Sequence, residues 1–157
     1  MEIDSKSESA AADTDEILRD KAYESGEFRE SLRVACAANG LTKTQFVRKG
    51  HTIERIECFQ EKFFRLESCR WFTGLRELWI LSMSCVETLS GLAGCPNLEI
   101  LTVSNCKLSG LAGLEKCTRL KRLHLQGNAI SSLRGLRDCV KLETLWVDDN
   151  DIRVLEG

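Results

Sequence analysis

The apolar residues of this chain return with a period of 22. Leu98, Leu101, Val103, Leu108, Leu111 and Leu114 recur as Leu120, Leu123, Leu125, Ile130, Leu133 and Leu136. They recur once more as Leu142, Leu145, Val147, Ile152 and Leu155. A unit this short cannot bury its apolar side alone, so its copies must stack and share one continuous core. That requirement excludes most globular topologies before any single residue is considered.

The shared template is L-x-x-L-x-L-x-x-N-x-I-x-x-L-x-G-L, and it resembles the leucine-rich repeat. The opening L-x-x-L-x-L alternates at its end as a short parallel strand does. Asn128 and Asn150 then begin a turn in which the side-chain amide can satisfy backbone groups of the neighbouring coil. Cys106 holds that place one repeat earlier. The steps Gly91-Leu92, Gly113-Leu114 and Gly135-Leu136 start the return segment, expected as 3₁₀ or short helix. The fold class expected is α/β: a right-handed leucine-rich-repeat solenoid with short parallel strands on its concave face.

Upstream, Leu75, Leu78 and Ile80 open a repeat of 23 residues, with the slip around Met83 to Val86, so its turn must bulge. Ile53, Ile56, Cys58, Phe63 and Leu66 form a degenerate first repeat with Glu61 at the asparagine position. The repeats therefore occupy 53–157, about five in number, and the sequence stops inside the last one. A solenoid end needs a polar-faced cap, so a fragment of a longer array is expected, the alternative being a partner that covers that end.

Before the repeats, Phe28, Leu32 and Cys36 share a helical face and Asn39-Gly40 supplies a helix stop. Thr42 and Gln45 form a capping box for a second short helix, with Leu41 able to staple against Phe46. Residues 26–52 thus read as a helical N-terminal cap. Residues 1–25 read as a disordered acidic tail, because few of them could offset the entropy of ordering. Residues 1–30 hold ten Asp and Glu against four Lys and Arg, whereas 31–157 hold fourteen against eighteen.

Charge and motifs argue against several functions. A net charge of -2 without a continuous basic stripe does not suit nucleic acid. The start has no signal-peptide pattern and no run approaches a bilayer span, so a cytoplasmic, non-membrane protein is expected. Among the eight cysteines, Cys95, Cys117 and Cys139 lie 22 apart, at one repeat position, and read as stacked small hydrophobes. Cys36, Cys58 and Cys69 fit apolar positions as well, which leaves Cys85 as the thiol to watch. No C-x-x-C pair suggests zinc. His51 and His124 lack ligand partners, and Asp148, Asp149 and Asp151 lack the glycine and distal glutamate of a calcium loop. No catalytic constellation, metal site or cofactor is expected.

The informative positions are the strand residues that alternation turns away from the leucine core. Successive repeats place Glu57, Trp79, Thr102, His124 and Trp146 in one row. Arg55, Glu77, Ile100, Arg122 and Thr144 flank it on one side, and Phe59, Leu81, Ser104, Gln126 and Asp148 on the other. Tryptophan and arginine are enriched among interface hot spots. The expected partner-binding residues are Trp79, Leu81, Ile100, Thr102, Arg122, His124, Thr144, Trp146 and Asp148, and the expected partner is a protein.

The 22-residue unit with I-x-x-L-x-G-L, as in Ile130-Ser131-Ser132-Leu133-Arg134-Gly135-Leu136, resembles the phosphatase-regulator class of leucine-rich repeats. Cys36-Ala37-Ala38-Asn39-Gly40-Leu41 and Leu75-Arg76-Glu77-Leu78-Trp79-Ile80 are similar to the amino-terminal region of long, multi-array leucine-rich-repeat proteins of ciliated cells. The resemblance implies a non-catalytic scaffold, ciliary or axonemal. The class implies an alternative, a regulatory subunit that binds a phosphatase catalytic subunit.

Overall fold

In a computed structural model of the chain, residues 33–42, 45, 50–60 and 65–153 are described. Five parallel strands form one sheet in sequence order: β1 (Arg55–Phe59), β2 (Glu77–Leu81), β3 (Ile100–Ser104), β4 (Arg122–His124) and β5 (Thr144–Trp146). Every strand pairs with its sequence neighbour, so the chain winds once per repeat and advances one strand spacing. The register carries Ile56 onto Leu78, Leu78 onto Leu101, Leu101 onto Leu123 and Leu123 onto Leu145. The fold is the expected leucine-rich-repeat solenoid.

The return side follows from apolar residues three apart. In the coil carrying Leu111, Leu114, Cys117 and Leu120, each later amide donates to the carbonyl three residues back, at 3.3, 2.8 and 3.0 Å. Side chains at i and i+3 eclipse in such a path, so all four enter the core together. The same turns become 3₁₀ helices at Leu66–Trp71 and Ser90–Gly94.

Glycine at the return step is imposed by the stacking. A Cβ on Gly113 would lie 2.2 Å from the Leu89 carbonyl oxygen of the preceding coil, and one on Gly91 2.2 Å from the Glu67 nitrogen. Successive coils touch backbone to backbone there, and only hydrogen fits.

The asparagines act between coils. Asn128 Oδ1 accepts from the Leu108 amide at 3.2 Å, while its Nδ2 donates to the Val103 and Leu125 carbonyls at 2.7 and 2.8 Å. Asn150 repeats this with the Ile130 amide and the Leu125 and Val147 carbonyls. Cys106 can donate only its thiol, to the Ser104 carbonyl at 3.4 Å.

The cysteine column is internal. Cys95, Cys117 and Cys139 are buried, and each thiol donates to the preceding coil, at the Cys69, Leu92 and Leu114 carbonyls. Burial pushes the Cys95 and Cys117 thiols up to about 12, which keeps them protonated and unreactive. Phe72 heads the column in the first coil. Cys36, Cys58 and Cys69 are buried too, and Cys85 is exposed.

A turn not anticipated from the residues ends each strand. Gln60, Ser82, Asn105, Gly127 and Asp149 all have φ between 53° and 68°. The longer second repeat takes its extra residue after this turn: Met83 is fully buried at the asparagine position, the Val86 amide donates to the Met83 carbonyl, and Ser84 and Cys85 are exposed between them.

Ahead of the strands, residues 33–38 are helical, and Val34, Ala35 and Cys36 join the core. The capping box is formed: the Thr42 amide donates to Gln45 Oε1 at 2.8 Å and the Gln45 amide to Thr42 Oγ1 at 3.3 Å. The acidic tail, Phe28, Leu32, Phe46, Glu61, Phe63 and Leu155 lie outside the described residues.

Candidate functional site

Strand alternation builds the candidate site. Leu78, Ile80, Leu101, Val103 and Leu123 point inward and are fully buried, so the residues between them form the concave face. The paired registers assemble the expected rows: Arg55, Glu77, Ile100, Arg122 and Thr144 in one, and Glu57, Trp79, Thr102, His124 and Trp146 in the next. Leu81 and Ser104 continue the third row, and Asp148 lies two residues beyond Trp146.

At the β1 end the face is closed on itself. The Arg55 guanidinium lies 5.3 Å from the Trp79 ring centroid, pairs with Glu57, and reaches Glu77 at 3.6 Å. Trp79 is half-buried, and its indole Nε1 is buried without a hydrogen-bond partner. Phe59, 48% exposed, borders a cleft of about 310 Å³ whose walls include Val34 and Ala37 of the helix and Glu57 of β1.

In the centre, Thr102 is buried between Trp79 and His124, the larger residues paired with it on either side. Its hydroxyl lies 3.4 Å from His124 Nδ1, so it supports the face instead of presenting itself to a partner. Leu81 and Ile100 are half-buried beside it.

At the β5 end the face is open. The His124 and Trp146 rings stack at 4.5 Å between centroids with planes 21° apart, and Trp146 is 51% exposed. Burial, then the nearby Arg122 charge, lowers the His124 pKa, so its imidazole is neutral at pH 7. Arg122 and Asp148 are exposed and Thr144 is half-buried. Neither the stack nor the burial of Thr102 is written in the residue types; both follow from the register.

Below the rows runs a charged ladder that the sequence reading missed. Glu99 accepts from Arg76 of the preceding coil at 2.6 Å and from Lys121 of the following coil at 2.7 Å. Hydrogen bonds from Lys121 and Arg76 hold its carboxyl down at about 2. The signal was available, since Glu54, Arg76, Glu99, Lys121 and Glu143 alternate in sign at one repeat position.

Among the described residues, no group of three or more His, Cys, Asp and Glu is placed to hold a metal ion. No helix among them is long and apolar enough to cross a membrane.

Comparison with known proteins places this geometry. The family profile described as Leucine Rich repeats (2 copies) matches residues 96–137 and 118–157. No curated protein matches the sequence. An internalin (inlF) from Listeria monocytogenes superposes with a TM-score of 0.59 at 17% identity, covering 83% of this chain. The chain spans 45% of that internalin's length, and the likeness is one of fold. Internalin C2 from the same organism aligns at a TM-score of 0.37 and 15% identity, over 80% of this chain and 76% of that one. Residues 96–157 thus carry leucine-rich repeats, and the five-stranded coil that they continue is a leucine-rich-repeat solenoid.

Proposed function

We propose that the protein is a non-catalytic interaction scaffold whose concave face grips a protein partner through Trp146, His124, Arg122 and Asp148, with Trp79, Leu81, Ile100 and Thr144 completing the surface. The observation that carries this reading is the exposed His124–Trp146 stack. A half-exposed tryptophan on a rigid sheet leaves much of its apolar surface available to a partner, and such anchors dominate interface energetics. Thr102 acts from below by fixing His124. The helix at 33–38, whose Val34, Ala35 and Cys36 join the core, and the Thr42–Gln45 capping box support the reading of 26–52 as a cap ahead of repeats over 53–157.

The similarity of the cap segment and β2 to ciliary multi-array proteins supports a cytoplasmic, axonemal setting. Affinity capture from ciliated cells, comparing the wild type with Trp79→Ala/Trp146→Ala, is the test. Axonemal proteins lost with the double variant support the scaffold, and an unchanged set of captured proteins refutes the site. The 22-residue class favours a second reading, a phosphatase-binding subunit. Co-purification of a phosphatase catalytic subunit with altered activity is its distinguishing result.

A further inference from the structure

The two ends of the tryptophan row differ in one respect that identifies a ligand chemistry. At Trp79 an indole, a guanidinium and two carboxylates already form a closed set: Arg55 lies over the ring and is held by Glu57 and Glu77. At Trp146 the indole is more exposed, one ring face is committed to His124, and no arginine or lysine of the described residues lies over it. The carboxylates are present there: between Leu142 and Ile152 the chain carries Glu143, Asp148, Asp149 and Asp151 and neither Lys nor Arg. Asp148 follows Trp146 by two residues and is exposed.

We propose that Trp146 and Asp148 form a receptor for an arginine side chain of a partner protein, reproducing with an outside guanidinium the arrangement that Arg55 makes over Trp79. The proposal rests on the concave-face reading and names the chemistry of its anchor. A planar guanidinium can stack on an indole while two of its N–H groups reach a carboxylate, which an ammonium cannot match. Neutral His124 beneath the ring lets it stack without repelling the incoming charge. Arg122 lies toward the opposite edge of the face, level with Thr144 and away from Asp148. It therefore directs a cation toward the Asp148 side of the indole.

The test is a titration of the full chain with a short glycine–arginine peptide and with its citrulline counterpart, which keeps the shape and loses the charge. The readout is the indole N–H resonance of each tryptophan and the ring resonances of His124. The expected result is a saturable shift at Trp146 and His124 with the arginine peptide only. Trp146→Ala should abolish the shift at His124, and Asp148→Asn should raise the apparent Kd by about tenfold. Because Asp148 is exposed, that second variant keeps the fold and isolates the charge.

Equal responses to both peptides, a shift confined to Trp79, or an unchanged Kd in Asp148→Asn would overturn the proposal. A shift that grows with protein concentration in the absence of peptide would assign the surface to a second copy of the chain and also overturn it. Loss of partner capture in the double tryptophan variant alongside a failed arginine titration refutes the arginine receptor alone and leaves the concave-face scaffold standing.

Discussion

The coil at Leu98–Val103 and the coil at Leu142–Val147 use nearly the same apolar residues and reach different environments. Leu98, Leu101 and Val103 are fully buried. Leu142, Leu145 and Val147, at equivalent positions, are only partly buried. The side chains and backbone path match, so the difference lies in the neighbours: the first coil is covered on both sides by described coils, the second on one. In a solenoid a leucine's contribution is set by its place in the stack as much as by its identity.

The sharpest test of that contrast is Leu123→Ala against Leu145→Ala. Leu123 is fully buried between two coils, so truncation should cost roughly 2 to 5 kcal/mol by urea denaturation. Leu145→Ala should cost less than half as much, and equal costs would break the comparison. Gly113→Ala comes next. Its φ of 114° and the 2.2 Å approach to the Leu89 carbonyl should together cost about 3 kcal/mol. Gly110, with nothing within 4 Å of an added Cβ, is the internal control and should tolerate alanine.

The smallest effect concerns the charged ladder. Glu99 is bridged to coils on both sides, whereas Glu143 bridges no cation among the described residues. The Glu99 carboxyl is lowered from 4.5 to about 2 in the fold, so it contributes stability that is complete above pH 4.5 and lost as pH falls toward 2. Glu99→Gln should flatten that part of the melting temperature's pH dependence, and Glu143→Gln should leave the melting temperature at neutral pH unchanged. These bridges are largely solvated, so the effect is modest.

How much of this was legible depends on whether the signal repeats. The strand register could be read across the 23-residue step because the apolar letters return on both sides of it. The glycine column was visible as letters, but its cause, backbone against backbone, belongs to the stacked coils. The left-handed turn was illegible, because Gln60, Ser82, Asn105, Gly127 and Asp149 have no residue type in common. Thr102 was read as a surface residue by alternation alone. The rings of Trp79 and His124 on either side made it a buried support.

The sequence by itself determined the solenoid, its register and which residues share the concave face. Period fixes the coil, and alternation fixes which way each side chain points. Only the tertiary structure decided which of those face residues are free to act. Arg55 turned toward its own Trp79 and its carboxylates, while Trp146 kept one ring face open. That outcome depends on distances between successive coils, which no single repeat contains.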